Sequence, residues 1–163
     1  MKLLLTFCFV MGTIVQKESW KKVERNGMVF EWRIEGAHLR CKVMAPTTGW
    51  VAIGFNTHSQ LSGTHLIMGA VEQEFYRIDD RYIVAPGNHR SMIQMGVEDQ
   101  ITLKSGREWQ GKTVIEFVIP LQLKDKYHLQ LNEGSEYHLL MAFSAEDDFD
   151  HHSMMRTSTK IKL

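Results

Sequence analysis

Gly49-Trp50-Val51-Ala52-Ile53-Gly54-Phe55, followed by Asn56-Thr57-His58-Ser59-Gln60-Leu61-Ser62-Gly63-Thr64-His65-Leu66-Ile67-Met68, decides the fold of this 163-residue chain. The first seven residues are apolar, rich in β-branched and aromatic side chains, and too few for an independent helix. Such a run reads as a strand buried on both faces. A polar loop carrying His58 follows, and an apolar strand then runs from His65 to Glu72. The loop between these strands is the expected rim of any binding site.

Outward from this pair the chain alternates with a period of two. Met28, Phe30, Trp32 and Ile34 share one face, and Leu39, Cys41 and Val43 share another, so 28–35 and 38–45 read as a hairpin. Pro46 to Gly49 turns the chain into the opening strand. Trp20 to Gly27 reads as a polar lead-in. Downstream, Phe75 to Val84 reads as two short strands broken at Asp79-Asp80, and Pro86 to Arg90 as a loop. Ile101 and Leu103 suggest a brief strand punctuated by Ser105-Gly106, and Thr113 to Ile119 a strong one. Leu123 to Leu131 reads as a helical turn or loop, Tyr137 to Phe143 as a strand, Ala145 to His152 as a charged loop, and Ser158 to Leu163 as an edge strand. About nine short strands with turn signals between them, and no helix of ordinary length, make an all-β antiparallel β-sandwich the expected fold.

Lys plus Arg equals Asp plus Glu at 19 each, so no net field draws in nucleic acid. Met1-Lys2 followed by an apolar run to Val15 matches a secretory signal and is too short to span a bilayer. We therefore expect residues 1–19 to be a cleaved signal, 20–163 to be the mature domain, and the protein to be exported with no remaining membrane span. Loss of Cys8 with the signal leaves Cys41 alone, a core residue by its alternation with Leu39 and Val43.

The chain lacks a Gly-x-Ser-x-Gly elbow, a phosphate-cradling glycine loop, a His-Glu-x-x-His and a Cys-x-x-Cys. No catalytic constellation is legible. Eight histidines and ten methionines remain, residue types that ligate haem iron or a soft metal. His58 and His65 flank the central loop, either as a ligand pair or as solvated loop residues. His151 and His152, after Asp147, Asp148 and Asp150, suit a divalent cation or one axial ligand, or are simply part of an acidic surface loop. Which metal, if any, the sequence leaves open. Met68 and Met141 sit on strands, where filling the core is the default.

Gly49-Trp50-Val51-Ala52-Ile53-Gly54-Phe55, Ser62-Gly63 before an apolar strand, Ile115-Glu116-Phe117-Val118-Ile119-Pro120-Leu121, and Asp147-Asp148-Phe149 with a histidine before the last strand together resemble the DOMON domain. The resemblance covers nearly everything from Val29 to Leu163. It implies an exported immunoglobulin-like β-sandwich that in some members holds haem b for electron transfer and in others binds a sugar or another small ligand. Haem-binding members place a methionine before the Ser-Gly pair and a histidine near the C-terminus. Here those positions hold Leu61 and His151 or His152, and leucine has no lone pair for iron. His65, His58 or, less readily, Met68 would have to substitute, Met68 being expected to point into the sheet packing. Ile119 also stands where the family often has arginine. The resulting expectation is a non-catalytic module that binds a small molecule in a loop-end pocket walled by Trp50, Leu61, Trp109 and Phe149. The alternative is a b-type cytochrome domain exchanging electrons with an exported redox partner.

Overall fold

The computed structural model describes residues 19–163. Residues 1–18 of the expected signal, Cys8 included, lie outside them. Eleven strands run β1 (Lys21–Arg25), β2 (Met28–Glu35), β3 (His38–Ala45), β4 (Val51–Asn56), β5 (His65–Glu72), β6 (Phe75–Ala85), β7 (Asn88–Ser91), β8 (Thr102–Trp109), β9 (Lys112–Pro120), β10 (Glu136–Phe143) and β11 (Met155–Lys162). A single turn of 3-10 helix, Ile93–Met95, lies between β7 and β8. The strands form a five-stranded sheet ordered β1-β2-β3-β9-β8 and a six-stranded sheet ordered β11-β10-β4-β5-β6-β7, with all pairings antiparallel. The all-β sandwich expected from the alternation is the fold.

The core lies between the sheets. Met28, Phe30, Trp32, Leu39, Cys41, Val43, Ile115, Phe117 and Ile119 meet Val51, Ile53, Phe55, Ile67, Leu139 and Met141 there. Each such side chain contributes roughly 1.5–3 kcal/mol by leaving water. The sheets approach closely at Gly69, where an added Cβ would lie 2.7 Å from Ile115 Cδ1.

Three local readings are corrected. Residues 75–85 form one strand, not two around Asp79-Asp80, because Asp80 points inward to histidine partners while Asp79 pairs with Arg81 at 3.1 Å on the other face. The presumed loop at Pro86 to Arg90 is a tight turn at Pro86-Gly87, with Gly87 at φ 75°, that opens β7. The presumed lead-in contains β1, and β8 runs straight through Ser105-Gly106 after an irregularity between Thr102 and Ser105. Charged and glycine-containing edge strands carry too little apolar alternation to be read as strands from sequence.

Candidate functional site

β4 and β5 are buried along nearly their whole length on both faces. Val51, Ile53, Phe55 and Ile67 face the core, so Ala52, Leu66, Met68 and Ala70 project to the outer side of the six-stranded sheet. With Trp50, Ile83, Ala142 and Phe149 they build a second apolar cluster, edged by Leu61 and Leu140. A sheet face this apolar needs a roof, and the loops supply it.

Each loop is fastened. Asn56 Nδ2 donates to the carbonyls of Gln60 and Ser62 and to Thr64 Oγ1 at 3.0–3.2 Å, and Gly63 N and Thr64 O bond to Ile83, which sets Leu61 over the sheet. The Ser144 to Ser153 connection is seamed to Trp50 by Trp50 N→Glu146 O (3.0 Å) and Ser144 N→Trp50 O (2.9 Å). That seam is tight enough that a Cβ at Gly49 would lie 2.4 Å from the Ala145 carbonyl carbon. Ser144 Oγ donates to the His152 carbonyl at 3.1 Å, which fixes the end of the connection that carries both histidines.

Between these loops lies a half-open cavity of about 130 Å³ with Ala52, Met68 and Ala142 in its lining. Trp50, Leu61, Ile83 and Leu140 border it, and His89, Asp150, His151, His152 and Arg156 stand around its mouth. The indole Nε1 of Trp50 is buried and has no hydrogen-bond partner. Arg81 Nε donates to His89 Nδ1 at 2.9 Å. Burial and the Arg81 charge hold the His89 ring below the usual histidine value, against the opposing pull of Asp150 and the Phe149 carbonyl, so His89 is neutral at pH 7. A polar recess of about 270 Å³ adjoins the cavity, sharing Leu61, Leu140 and Arg156 and adding His58, Gln60 and His138.

Trp50, Leu61, Met68, His151 and His152 therefore meet at one cavity, and His58 lies next door. Met68 faces outward into the cavity rather than into the inter-sheet packing, a correction that follows from strand parity with core-facing Ile67. Phe149 is buried beside the cavity, with the Arg77 guanidinium 3.8 Å from its ring centre. Trp109 is elsewhere, 59% exposed on β8 of the opposite sheet. His65 is also elsewhere: buried on the core side of β5, it hydrogen-bonds Asp80, which in turn meets His128. Asp80, His128, His89 and Arg156 were not singled out from the sequence, since nothing local marks residues brought together by pairing across the fold.

A family model of the DOMON domain matches residues 24–144. The chain belongs to the DOMON domain family. Two solved structures share this DOMON chain's fold, each at 9% identity and covering 88% of this chain and 81% of the other. One is the cytochrome b domain of pyranose dehydrogenase from Coprinopsis cinerea, with a TM-score of 0.67. The other is the cytochrome domain of Myriococcum thermophilum cellobiose dehydrogenase, with a TM-score of 0.63.

The DOMON cavity can be tested against a b-type haem by its donors and its size. His151 and His152 offer an imidazole at the mouth, but Leu61 on the wall has no lone pair. The other lining residues with a donor that suits iron are Met68, which is 1% exposed, and His89, whose Nδ1 already accepts from Arg81. The cavity is also smaller than the range of about 300–1,000 Å³ typical of ligand pockets. As they stand, these residues do not assemble a methionine–histidine iron site.

Proposed function

We propose that this DOMON domain is an exported, non-catalytic module that holds a small, partly apolar ligand on the outer face of its six-stranded sheet. The observation that carries the reading is the buried, unpartnered Trp50 Nε1 beside an apolar floor roofed by three loop segments. A buried donor without an acceptor is destabilising, so a ligand oxygen that accepts from it recovers a hydrogen bond the empty protein lacks. A cavity of this size takes about one ring, since an engineered cavity of about 150 Å³ accepts benzene. Arg156 and the two rim histidines favour a ligand whose polar or anionic end faces outward.

The test is an NMR-monitored titration with single-ring carboxylates, benzoate first, and with monosaccharides, glucose first. The expected result is a saturable shift of the Trp50 indole N–H resonance, accompanied by a higher melting temperature. Should every compound leave that resonance in place, the cavity is not the binding site.

A b-type haem is the second reading, brought forward by the two cytochrome domains of like fold. It supports exchange of electrons with an exported redox partner, haem supplying the one-electron chemistry when bound. His151 or His152 would hold iron, and because Leu61 offers no lone pair a second ligand would have to come from Met68 or His89 in the lining. Titration of the purified chain with haemin decides it: a Soret band that saturates at one equivalent and is lost in the His151→Ala/His152→Ala double variant supports this reading.

A further inference from the structure

The cavity uses none of the most deeply buried ionisable groups. His65 on β5, Asp80 on β6 and His128 in the connection between β9 and β10 are 2%, 2% and 4% exposed. Their donor atoms lie within 4.8 Å of one another. Asp80 Oδ1 meets His65 Nε2 at 2.8 Å, and Asp80 Oδ2 meets His128 Nε2 at 2.8 Å. The two imidazoles stand edge to face with centres 5.0 Å apart. We propose that His65, Asp80 and His128 form a closed site for one divalent transition-metal cation of the zinc class, separate from the cavity on the outer face.

The donor set selects the metal. Two imidazole nitrogens and one carboxylate suit zinc and its neighbours, whereas calcium and magnesium take oxygen ligands. Around a tetrahedral ion, bonds of about 2.0–2.2 Å set donors roughly 3.3–3.6 Å apart, so the Asp80 oxygens move out from 2.8 Å and the widest pair moves in from at most 4.8 Å, shared shifts of about 1 Å that close the three side chains onto one ion.

A second observation points the same way. His128 Nδ1 is held by Asp125 Oδ2 at 2.6 Å, and Asp125 is itself aimed by the backbone N–H groups of Tyr127 (2.8 Å) and His128 (2.9 Å). A carboxylate on the far nitrogen of a histidine is the outer support that metal-ligating imidazoles use. The three side chains are walled off from solvent, so the cation ties β5, β6 and the 121–135 connection together.

Proton accounting gives a distinctive signature. Without metal, His128 faces a carboxylate from each ring nitrogen and carries both protons, while His65 carries one on Nε2 facing Asp80. Metal uptake removes the Nε2 proton of His128 to solvent. The His65 proton moves from Nε2 to Nδ1, which is buried and has no partner among the described residues. One proton is released per cation, and the Asp125 hydrogen bond to His128 remains.

The experiment is calorimetric titration of the metal-stripped full chain with Zn²⁺ in buffers of different ionisation enthalpy, repeated with Co²⁺ for its visible spectrum. The expected result is one equivalent bound, close to one proton released to the buffer, and a raised melting temperature. Affinity should fall at least 100-fold in Asp80→Asn and His128→Gln and about 10- to 100-fold in Asp125→Asn. The His151→Ala/His152→Ala double variant should bind as the parent does. Because the core variants can fail to fold, histidine NMR of the parent chain is the second readout: Zn²⁺ should move the His65 and His128 ring resonances and leave those of His151 and His152 in place. Absence of uptake at stoichiometric zinc, or uptake that perturbs only His151 and His152, overturns the site and leaves a hydrogen-bonded network alone.

Discussion

His128 Nε2 donates to Asp80 Oδ2 at 2.8 Å across 48 residues of chain, and neither side chain has meaningful contact with water. With Nδ1 also facing Asp125, His128 is an imidazolium whose charge Asp80 balances. In metal-free protein, Asp80→Ala removes that balance and leaves a buried cation facing an empty space. The expected cost is about 3–5 kcal/mol, read as a lower urea midpoint in the variant.

The same pair sets the pH range of metal-free stability. Burial pushes the Asp80 carboxyl up, but hydrogen bonds from His128 and His65 together with their charges outweigh it and hold the group far below the usual carboxylate range. Its contribution is present above the unfolded value of about 3.9 and is lost as pH falls toward the depressed folded one. Burial pushes His128 down, and hydrogen bonds and charges from Asp80 and Asp125 outweigh it and raise the ring above its ordinary value. That contribution is complete below about pH 6.5 and is lost as pH rises through the raised folded value. Urea midpoints measured from pH 3 to 9 should fall at both ends, and His128→Gln should flatten the alkaline fall.

Trp50→Phe separates ligand binding from packing. A six-membered ring stays while the pyrrole half of the indole and its unpartnered N–H go, so lost packing opposes the relief of the unpaired donor and the unliganded protein should melt within a few degrees of the parent. Affinity for any ligand that accepts from Trp50 should fall by about 0.5–1.5 kcal/mol, roughly 2- to 12-fold, in the same titration.

Leu61→Met supplies the lone pair missing from the cavity wall. The exchange nearly conserves volume and should cost less than about 1.5 kcal/mol. If the haem reading holds, the variant should bind haemin more tightly than the parent and show a sharper, red-shifted Soret band. An unchanged spectrum would mean that position 61 does not reach the iron.

Gly49→Ala tests the seam that holds the roof. Its Cβ would fall 2.4 Å from the Ala145 carbonyl carbon and 2.6 Å from the Ser144 oxygen, both backbone atoms that cannot rotate away. The loop must shift, and we expect a loss of about 1–3 kcal/mol with ligand affinity falling further than stability alone explains. Thermal melts with and without ligand measure both.

The central strands were legible because burial leaves a continuous apolar run in β4 and an alternation in β2 and β3. The edge strands β1 and β7 were not, unlike β11, since Lys21–Arg25 and Asn88–Ser91 are polar and take their strand form from a neighbour's hydrogen bonds. Leu61, Met68, His151 and His152 line one cavity, Met68 by a strand parity that the sequence reading had assigned to the inter-sheet packing. The Asp79-Asp80 pair misled because two adjacent acids resemble a turn, when pairing in fact sends one to solvent-side Arg81 and the other to two distant imidazoles. Trp109, expected as apolar surface for the pocket, is instead placed by its register with Lys112 at the tip of the β8–β9 hairpin.

Two side chains of the outer floor end at Cβ. Ala52 and Ala142, paired across β4 and β10, each sit between strand neighbours that face the inter-sheet core, so the depression exists because methyl and methylene groups are missing from one side of two adjacent strands. Cargo size can therefore drift by single aliphatic exchanges at these positions without repacking the space between the sheets, which lets one scaffold change its guest while keeping its shape.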